Sequence, residues 1–143
     1  MKIFQISVFV ENRVGRLSDI TEVLAKNGVD IRALCIADTT DFGILRLIVN
    51  QPEKAVEALK GEGITVTKTE VIAVRLADTP GALNDILRVM RDRDIIVEYL
   101  YAFITRKDAD AYVILRVDDN QKAIDALTAK GHRLLKSGEV YDL

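Results

Sequence analysis

A stretch of seven residues that occurs twice decides how this chain is organised: VGRLSDI at residues 14–20 and PGALNDI at residues 80–86. Its glycine, leucine, aspartate and isoleucine recur at a constant spacing of 66 residues. Further matches follow at spacing 66 (Val23 with Val89, Leu34 with Leu100) and then at spacing 68 (Val49 with Val117, Ala55 with Ala123, Leu59 with Leu127, Gly63 with Gly131). The repeat indicates a duplicated unit, with a two-residue insertion after Leu100 in the second copy.

Each copy has the same order of hydrophobic periodicities. Apolar residues alternate over 4–10 and 72–76, as in strands with one buried face, and then follow helical spacing over 17–24 and 83–90. Two strands, a helix and a last strand complete each copy, at 30–38, 43–50, 52–61 and 65–69 and at 95–105, 111–118, 120–130 and 133–136. Polar turns fall at 38–41 and 106–110.

The order β-α-β-β-α-β, written twice, predicts an α+β fold of two tandem ferredoxin-like units with antiparallel sheets. The expected boundary divides residues 1–69 from residues 70–143, and no Gly-, Ser- or Pro-rich linker separates them. Gly28 is expected to end the first helix in the left-handed conformation, and Asp94 occupies the equivalent position in the second copy.

The composition excludes several kinds of protein. The 143 residues carry 20 Lys and Arg against 22 Asp and Glu, which leaves no basic footprint for nucleic acid or an anionic membrane. The chain has one cysteine, Cys35, and one histidine, His132. It therefore cannot form an intrachain disulfide, a cysteine-rich zinc site or a multi-histidine metal site. His132 lies at the end of a predicted helix and is expected to be solvated. We expect no cofactor.

No apolar run approaches the ~20 residues that cross a bilayer, and the N-terminus becomes polar too soon for a secretory signal. We therefore expect a cytoplasmic protein with no membrane partner and no nucleic-acid partner.

Many functions occur on this fold, so a function has to be argued from a site. RNA recognition would need aromatic residues on the third strand, and residues 43–48 contain none. Acyl-phosphate hydrolysis would suit Asn12 and Arg13, but the second copy has Asp78 and Thr79 there. We assign no catalytic residue, and a small enzyme stays the weakest alternative.

The remaining candidate site is the strand-to-helix turn, at 12–17 in the first copy and 78–83 in the second. Glycine allows a ligand to approach the backbone closely, and the N–H groups of a helix start can receive a carboxylate. The side-chain oxygen of Asn12 or Asp78 can accept from an ammonium. These are the groups that an α-amino acid needs, although ordinary capping of the helix by Asn12 or Asp78 explains the same residues.

The turn Asp78-Thr79-Pro80-Gly81-Ala82-Leu83 within this order of elements resembles the signature of ACT domains, small regulatory modules that commonly bind amino acids. The resemblance covers both copies, and the first departs from it with Asn12 and Val14 in place of the aspartate and the proline. It implies ligands held where two domains meet, between the turn of one and the second strand of its neighbour. The ligand-binding residues so implied are Asn12, Arg13, Val14, Gly15, Arg16, Leu17, Ile31, Asp78, Thr79, Pro80, Gly81, Ala82, Leu83 and Val97.

The resemblance also implies a non-catalytic role. The expected partners are a small molecule, such as an amino acid, a second copy of the chain in a homodimer, and a regulated enzyme or regulator in trans. Many ACT domains only associate with one another, so a purely structural module without ligand is the alternative.

Overall fold

The computed structural model describes residues 2–38, 41–103 and 110–142, which form two compact units. The N-terminal unit is Phe4–Thr69, and the C-terminal unit is Glu70–Tyr141 with residues 2 and 3. The elements in chain order are β1 (Ile3–Glu11), α1 (Arg16–Lys26), β2 (Ile31–Asp38), β3 (Phe42–Val49), α2 (Pro52–Gly61), β4 (Val66–Ala77), α3 (Ala82–Asp92), β5 (Val97–Phe103), β6 (Asp110–Val117), α4 (Asn120–Ala129), β7 (Arg133–Leu134) and α5 (Ser137–Tyr141). Most of the turns predicted at 38–41 and 106–110 lies outside the described residues.

In the N-terminal unit the strands have the order β2-β3-β1-β4, with residues 66–69 supplying β4. β1 pairs antiparallel with β3, so that Val8 lies opposite Leu45, and the Phe9 amide donates to the Thr65 carbonyl at 3.2 Å. The alternating apolar residues of β1 and β3 pack against α1 and α2, which is the burial that their periodicity predicted. The main core residues are Ile6, Val8, Val10, Ile20, Leu24, Leu45, Leu47, Val49, Ala55 and Leu59.

The C-terminal unit repeats this arrangement with the strand order β7-β4-β6-β5, all pairs being antiparallel. Val74 of β4 lies opposite Val113 of β6 on one side and Leu134 of β7 on the other. The core residues are Ile72, Val74, Ile86, Val89, Met90, Ile95, Val113, Leu115, Val117, Ala123, Ala126 and Leu127. The predicted α+β fold of two β-α-β-β-α-β units is confirmed.

The C-terminal end of the chain differs from the prediction. A strand was expected over 133–136, but β7 has only two residues and a short helix, α5, follows it. Glu139 is the cause: its carboxylate accepts from the Lys136 amide at 2.8 Å, which caps the first turn of α5, and from Arg133 Nη2 at 2.5 Å. These two donors hold the pKa of Glu139 below its usual value, with the backbone N–H contributing most.

All four longer helices end with the same pair of backbone hydrogen bonds. After α1, the Gly28 amide donates to the Ala25 carbonyl and the Val29 amide donates to the Leu24 carbonyl, both at 3.0 Å. This is a Schellman closure, which needs one residue with positive φ. That residue is glycine after α1, α2 and α4, and Asp94, with φ of 53°, after α3. The predicted left-handed end of the first helix at Gly28 is confirmed.

The aspartate at the end of α3 provides a test of this closure. We expect Asp94→Gly to raise the free energy of unfolding by about 0.5–1 kcal/mol, because glycine adopts positive φ without the Cβ penalty of an L residue. Urea denaturation followed by circular dichroism measures the change. The reverse substitution at the equivalent position, Gly28→Asp, should lower the stability by a similar amount. A destabilising Asp94→Gly would show that the aspartate stabilises this turn through its side chain.

Candidate functional site

The strand-to-helix turns have the same backbone geometry in both units. Gly15 has φ of 86° and ψ of −8°, and Gly81 has φ of 91° and ψ of −15°. These angles are those of the third residue of a type II turn, where Pro80 in the second position suits the required φ. The turn hydrogen bond runs from the Arg16 amide to the Arg13 carbonyl at 3.4 Å, and the equivalent bond in the C-terminal unit measures 3.3 Å.

The N-cap residue of the first helix in each unit has no side chain. Gly15 and Gly81 occupy the N-cap positions of α1 and α3, so the N-cap residue itself cannot accept from the amides of the first turn. By contrast, the carboxylate of Asp119 accepts from the Lys122 amide at 3.0 Å and caps α4. Capping by Asn12 or Asp78, which precede the N-cap glycines, stays the alternative to a ligand-binding role for these residues.

The first amide to donate within each helix belongs to its fourth residue. Asp19 N donates to Gly15 O at 2.9 Å, and Asp85 N donates to Gly81 O at 3.0 Å. The amides that precede them at the second and third helical positions have no carbonyl within the helix to receive them. In the C-terminal unit these are the amides of Leu83 and Asn84. Each helix therefore begins with N–H groups directed outward, at the positive end of the helix dipole.

The turn of the C-terminal unit borders a cavity of about 620 Å³, which we call the C-terminal cavity. Four of the predicted residues, 79–82, lie in its wall, whereas Asp78 and Leu83 lie outside it. The complete lining consists of Arg75, Leu76, Ala77, Thr79, Pro80, Gly81, Ala82, Asn84, Asp85, Arg88, Gly131, His132 and Arg133. The cavity thus brings together the end of β4, the first two turns of α3 and the connection from α4 to β7.

The predicted residues of the N-terminal turn are more dispersed. Asn12, Arg13 and Leu17 line a cavity of about 100 Å³ with Ile36 of β2, which is room for a small chemical group only. Val14 is fully exposed at the tip of the turn. Arg16, also predicted as a ligand-binding residue, lies in a separate groove along α1. Its Nη1 is 3.6 Å from the Asp19 carboxylate.

The predicted strand residues Ile31 and Val97 are not near the turn of their own unit. Ile31 pairs with Val49 at one end of β3, while the turn follows β1, whose last residue, Glu11, pairs with Phe42 at the other end of β3, roughly 20 Å away at the rise of a β-strand. Both side chains pack against their own hydrophobic core. A β-bulge follows each of them, at Arg32 and at Glu98, so the irregularity falls at the same place in both copies.

The basic wall of the C-terminal cavity was not predicted from the sequence, and it consists of Arg75, Arg88, His132 and Arg133. His132, which was expected to be solvated, is half-buried and lines this cavity. A signal was available in the repeat, since the equivalent positions of the first copy hold Phe9, Glu22, Ile64 and Thr65. Arg75 forms an ion pair with Asp110, and Arg133 forms one with Glu139.

The sequence matches the family described as the ACT domain pair over residues 1–142. The chain belongs to that family. A Bacteroides thetaiotaomicron protein of known crystal structure is 40% identical, with a TM-score of 0.94, and the match covers 100% of this chain and 98% of that one. No curated protein sequence matches the chain.

Two further solved structures have the same fold as this ACT pair at low sequence identity. The ligand-free regulatory subunit of aspartate kinase from Thermus thermophilus is 16% identical, with a TM-score of 0.66 over 90% of this chain and 93% of that one. The regulatory subunit from Thermus flavus is 15% identical, with a TM-score of 0.62 over 90% and 92%.

Other kinds of site receive no support from the parts of the ACT pair that the structure describes. Within residues 2–38, 41–103 and 110–142, no three His, Cys, Asp or Glu side chains are grouped so that they could hold a metal ion. Among the same residues, no helix has the length and apolar character to span a bilayer.

The turn glycines of the ACT pair can be tested by stability. We expect Gly81→Ala to lower the free energy of unfolding by about 1 kcal/mol, because an L residue at this φ is strained although its Cβ would meet nothing within 4 Å. Chemical denaturation of Gly81→Ala and Gly15→Ala measures the cost. Gly61→Ala is the control, since Gly61 lies in α2 without positive φ and should gain stability. Equal effects at Gly61 and Gly81 would contradict the assignment.

Proposed function

We propose that this ACT domain pair is a regulatory module that binds an amino acid at its strand-to-helix turns and thereby changes its contacts with a partner protein. The observation that carries the proposal is that α1 and α3 both begin at a glycine with positive φ, an N-cap residue without a side chain. A helix start of this kind, present in both units, offers N–H donors for a carboxylate from outside the chain.

The proposed binding mode follows from the groups around each turn. The α-carboxylate accepts from the amides at the start of α3, and the ammonium is held by an oxygen acceptor, for which Asp78 is placed directly before the turn. In the N-terminal unit the equivalent residue is Asn12, an acceptor without charge. We therefore propose that the C-terminal turn, which also borders the larger cavity, binds more tightly.

Ile31 and Val97 remain part of the proposal in a changed role. Because each lies far from the turn of its own unit and is packed in its own core, it would contribute to a ligand bound by a different turn, through its backbone. The bulges at Arg32 and Glu98 interrupt the regular ladder there and leave backbone groups for such a contact.

Regulation requires that the ligand bind one arrangement of the protein more tightly than another. A ligand shifts the population of two arrangements of a protein only if it binds one of them better, and by linkage the partner protein that prefers this arrangement binds better as well. The partner would be an enzyme or a regulator supplied in trans. We assign the ACT pair itself no catalytic residue.

The function is tested by a thermal-shift screen of the full chain against the twenty amino acids. A ligand at ~100 times its dissociation constant should add ~2.7 kcal/mol of stability, because it binds only the folded state. Calorimetric titration of any hit then gives the stoichiometry and the affinity. If no amino acid shifts the transition, the proposal is wrong and the structural alternative stands.

Paired substitutions at the two turns show where an amino acid found in the screen binds. We expect Gly81→Val to abolish binding at the C-terminal turn, because its side chain would fill the space beside the backbone donors, and Asp78→Asn to weaken it. Asn12→Asp is the matched change in the other unit and should strengthen binding there. Unchanged affinity in all three variants, each checked for folding by circular dichroism, would remove the turns as the site.

A second candidate function, association alone, is favoured by one edge of the N-terminal unit. β2 has β3 as its one neighbour in the described sheet, and it exposes two large apolar side chains, Leu34 at 58% and Ile36 at 42%. An open strand edge with exposed aliphatic residues is a surface for a second chain. We propose a homodimer formed through this edge.

The homodimer is tested by sedimentation at several protein concentrations. We expect the wild-type chain to sediment as a dimer and Leu34→Lys to shift it to the monomer, because a lysine on the edge strand opposes pairing. Ile96→Lys is the control, since Ile96 is equally exposed, at 63%, but precedes β5 in the other unit. If Ile96→Lys dissociates the dimer and Leu34→Lys does not, the edge of β2 is not the interface.

A further inference from the structure

The C-terminal cavity has a wall that the proposed amino-acid site does not use. Besides the glycine turn, the lining includes Arg88 on the second turn of α3, His132 on the connection from α4 to β7, and Arg133 at the start of β7. Asp85 is the one carboxylate among the lining residues. The wall is therefore predominantly cationic, and it faces a space of about 620 Å³, which exceeds what the backbone of an amino acid needs.

His132 occupies a position that the other helices give to a buried aliphatic residue. It is the residue whose amide closes the end of α4, donating to the Leu127 carbonyl at 3.0 Å. The equivalent residues after α1, α2 and α3 are Val29, Ile64 and Ile95, all of which are buried. A Schellman closure is usually completed by a hydrophobic contact at this position. The fourth helix places a ring with an N–H donor there instead, in the wall of the cavity.

The two arginines of this wall differ in their ion pairs: Arg133 has a partner outside the cavity, and Arg88 has none within the part of the chain that the structure describes. Among the described residues Arg88 takes part in no ion pair, and its counterpart in the N-terminal unit is Glu22, of opposite charge. Arg133 is held by Glu139, which is not part of the lining. A guanidinium has five N–H donors in a fixed fork, so Arg133 keeps donors beyond the one that Glu139 occupies. Both can bind an oxyanion by charge-assisted hydrogen bonds.

We propose that the C-terminal cavity selects amino acids that carry a second oxyanion, a carboxylate or a phosphate on the side chain, and that the N-terminal unit does not. The inference rests on the proposed function, since the turn supplies the donors for the α-carboxylate. Arg88, His132 and Arg133 bind the side-chain oxyanion. The N-terminal unit lacks this wall, because Glu22, Ile64 and Thr65 stand at the equivalent positions. In the groove along α1, the cations Arg16 and Lys26 are accompanied by the three carboxylates of Asp19, Glu22 and Glu62.

The selectivity is tested by calorimetric titration of the full chain with acid and amide pairs. L-glutamate, L-aspartate and O-phospho-L-serine are compared with L-glutamine, L-asparagine and L-serine, which have nearly the same shape without the second charge. We expect each acidic ligand to bind at least tenfold more tightly than its neutral counterpart, and the difference to shrink at high salt.

Substitutions then locate the selectivity. Arg88→Gln and Arg133→Gln should each weaken L-glutamate binding by roughly tenfold, since a hydrogen bond to a charged group is lost, and should leave any L-glutamine binding unchanged. Glu22→Gln, the matched change at the equivalent exposed position of α1, should leave L-glutamate binding as it is. Thermal denaturation shows whether each variant is folded.

The outcomes separate this inference from the proposed function. Equal affinity for L-glutamate and L-glutamine, or loss of L-glutamate binding in Glu22→Gln but not in Arg88→Gln, would overturn the inference and leave the amino-acid function intact. Succinate and inorganic phosphate that bind as tightly as the acidic amino acids would support the oxyanion wall and overturn the amino-acid function. Absence of binding by every probe would overturn both.

Discussion

The start of the first helix in each unit depends on a glycine with φ near +90°. This conformation turns the chain sharply from the strand into the helix and at the same time removes the side chain that would cap the helix. The strand before it and the helix after it are buried against the same core, so the turn cannot relax without displacing Val8 and Ile20 or their equivalents. The N–H groups at the helix start are consequently directed outward by the packing of the whole unit.

The two units use this common backbone for different chemistry. The turn geometry, the Schellman closures and the bulge in the second strand agree between them, whereas the charges around the turn do not. Arg88 stands where Glu22 stands in the first copy, and His132 stands where Ile64 stands. The charge at Arg88 and Glu22 is free to differ because these exposed side chains take no part in the core, whereas Ile64 belongs to the core of its unit. Glycine at positive φ is not free to differ without strain.

Most of the fold could be predicted from the sequence because the repeat shows each element twice. The alternation in β1, the helical spacing in α1 and the positive-φ residue at Gly28 are local properties, and each proved correct. The end of the chain could not be predicted as well, since α5 depends on Glu139 reaching back to the Lys136 amide, a single contact without a periodic signal.

The candidate site was predictable only in part. The turns were found because glycine and the neighbouring polar residues form a compact motif, and residues 79–82 do line the larger cavity. The basic wall was missed because Arg88, His132 and Arg133 come from separate elements that only the packing of α3 against α4 and β7 brings together. Ile31 stays a prediction: its side chain packs against its own core, so a contact with a ligand would come from its backbone.

The bulges at Arg32 and Glu98 indicate which structural features are older than the duplication of the unit. Two copies that share an irregularity at the same position inherited it, so the bulge was present before the gene duplicated. The same holds for the glycine turns, which belonged to an ancestor with one unit. A single unit of that size has a marginal core and open strand edges, which favour association with a second copy. The basic wall, which one copy has and the other lacks, is by contrast not a feature that the two copies share.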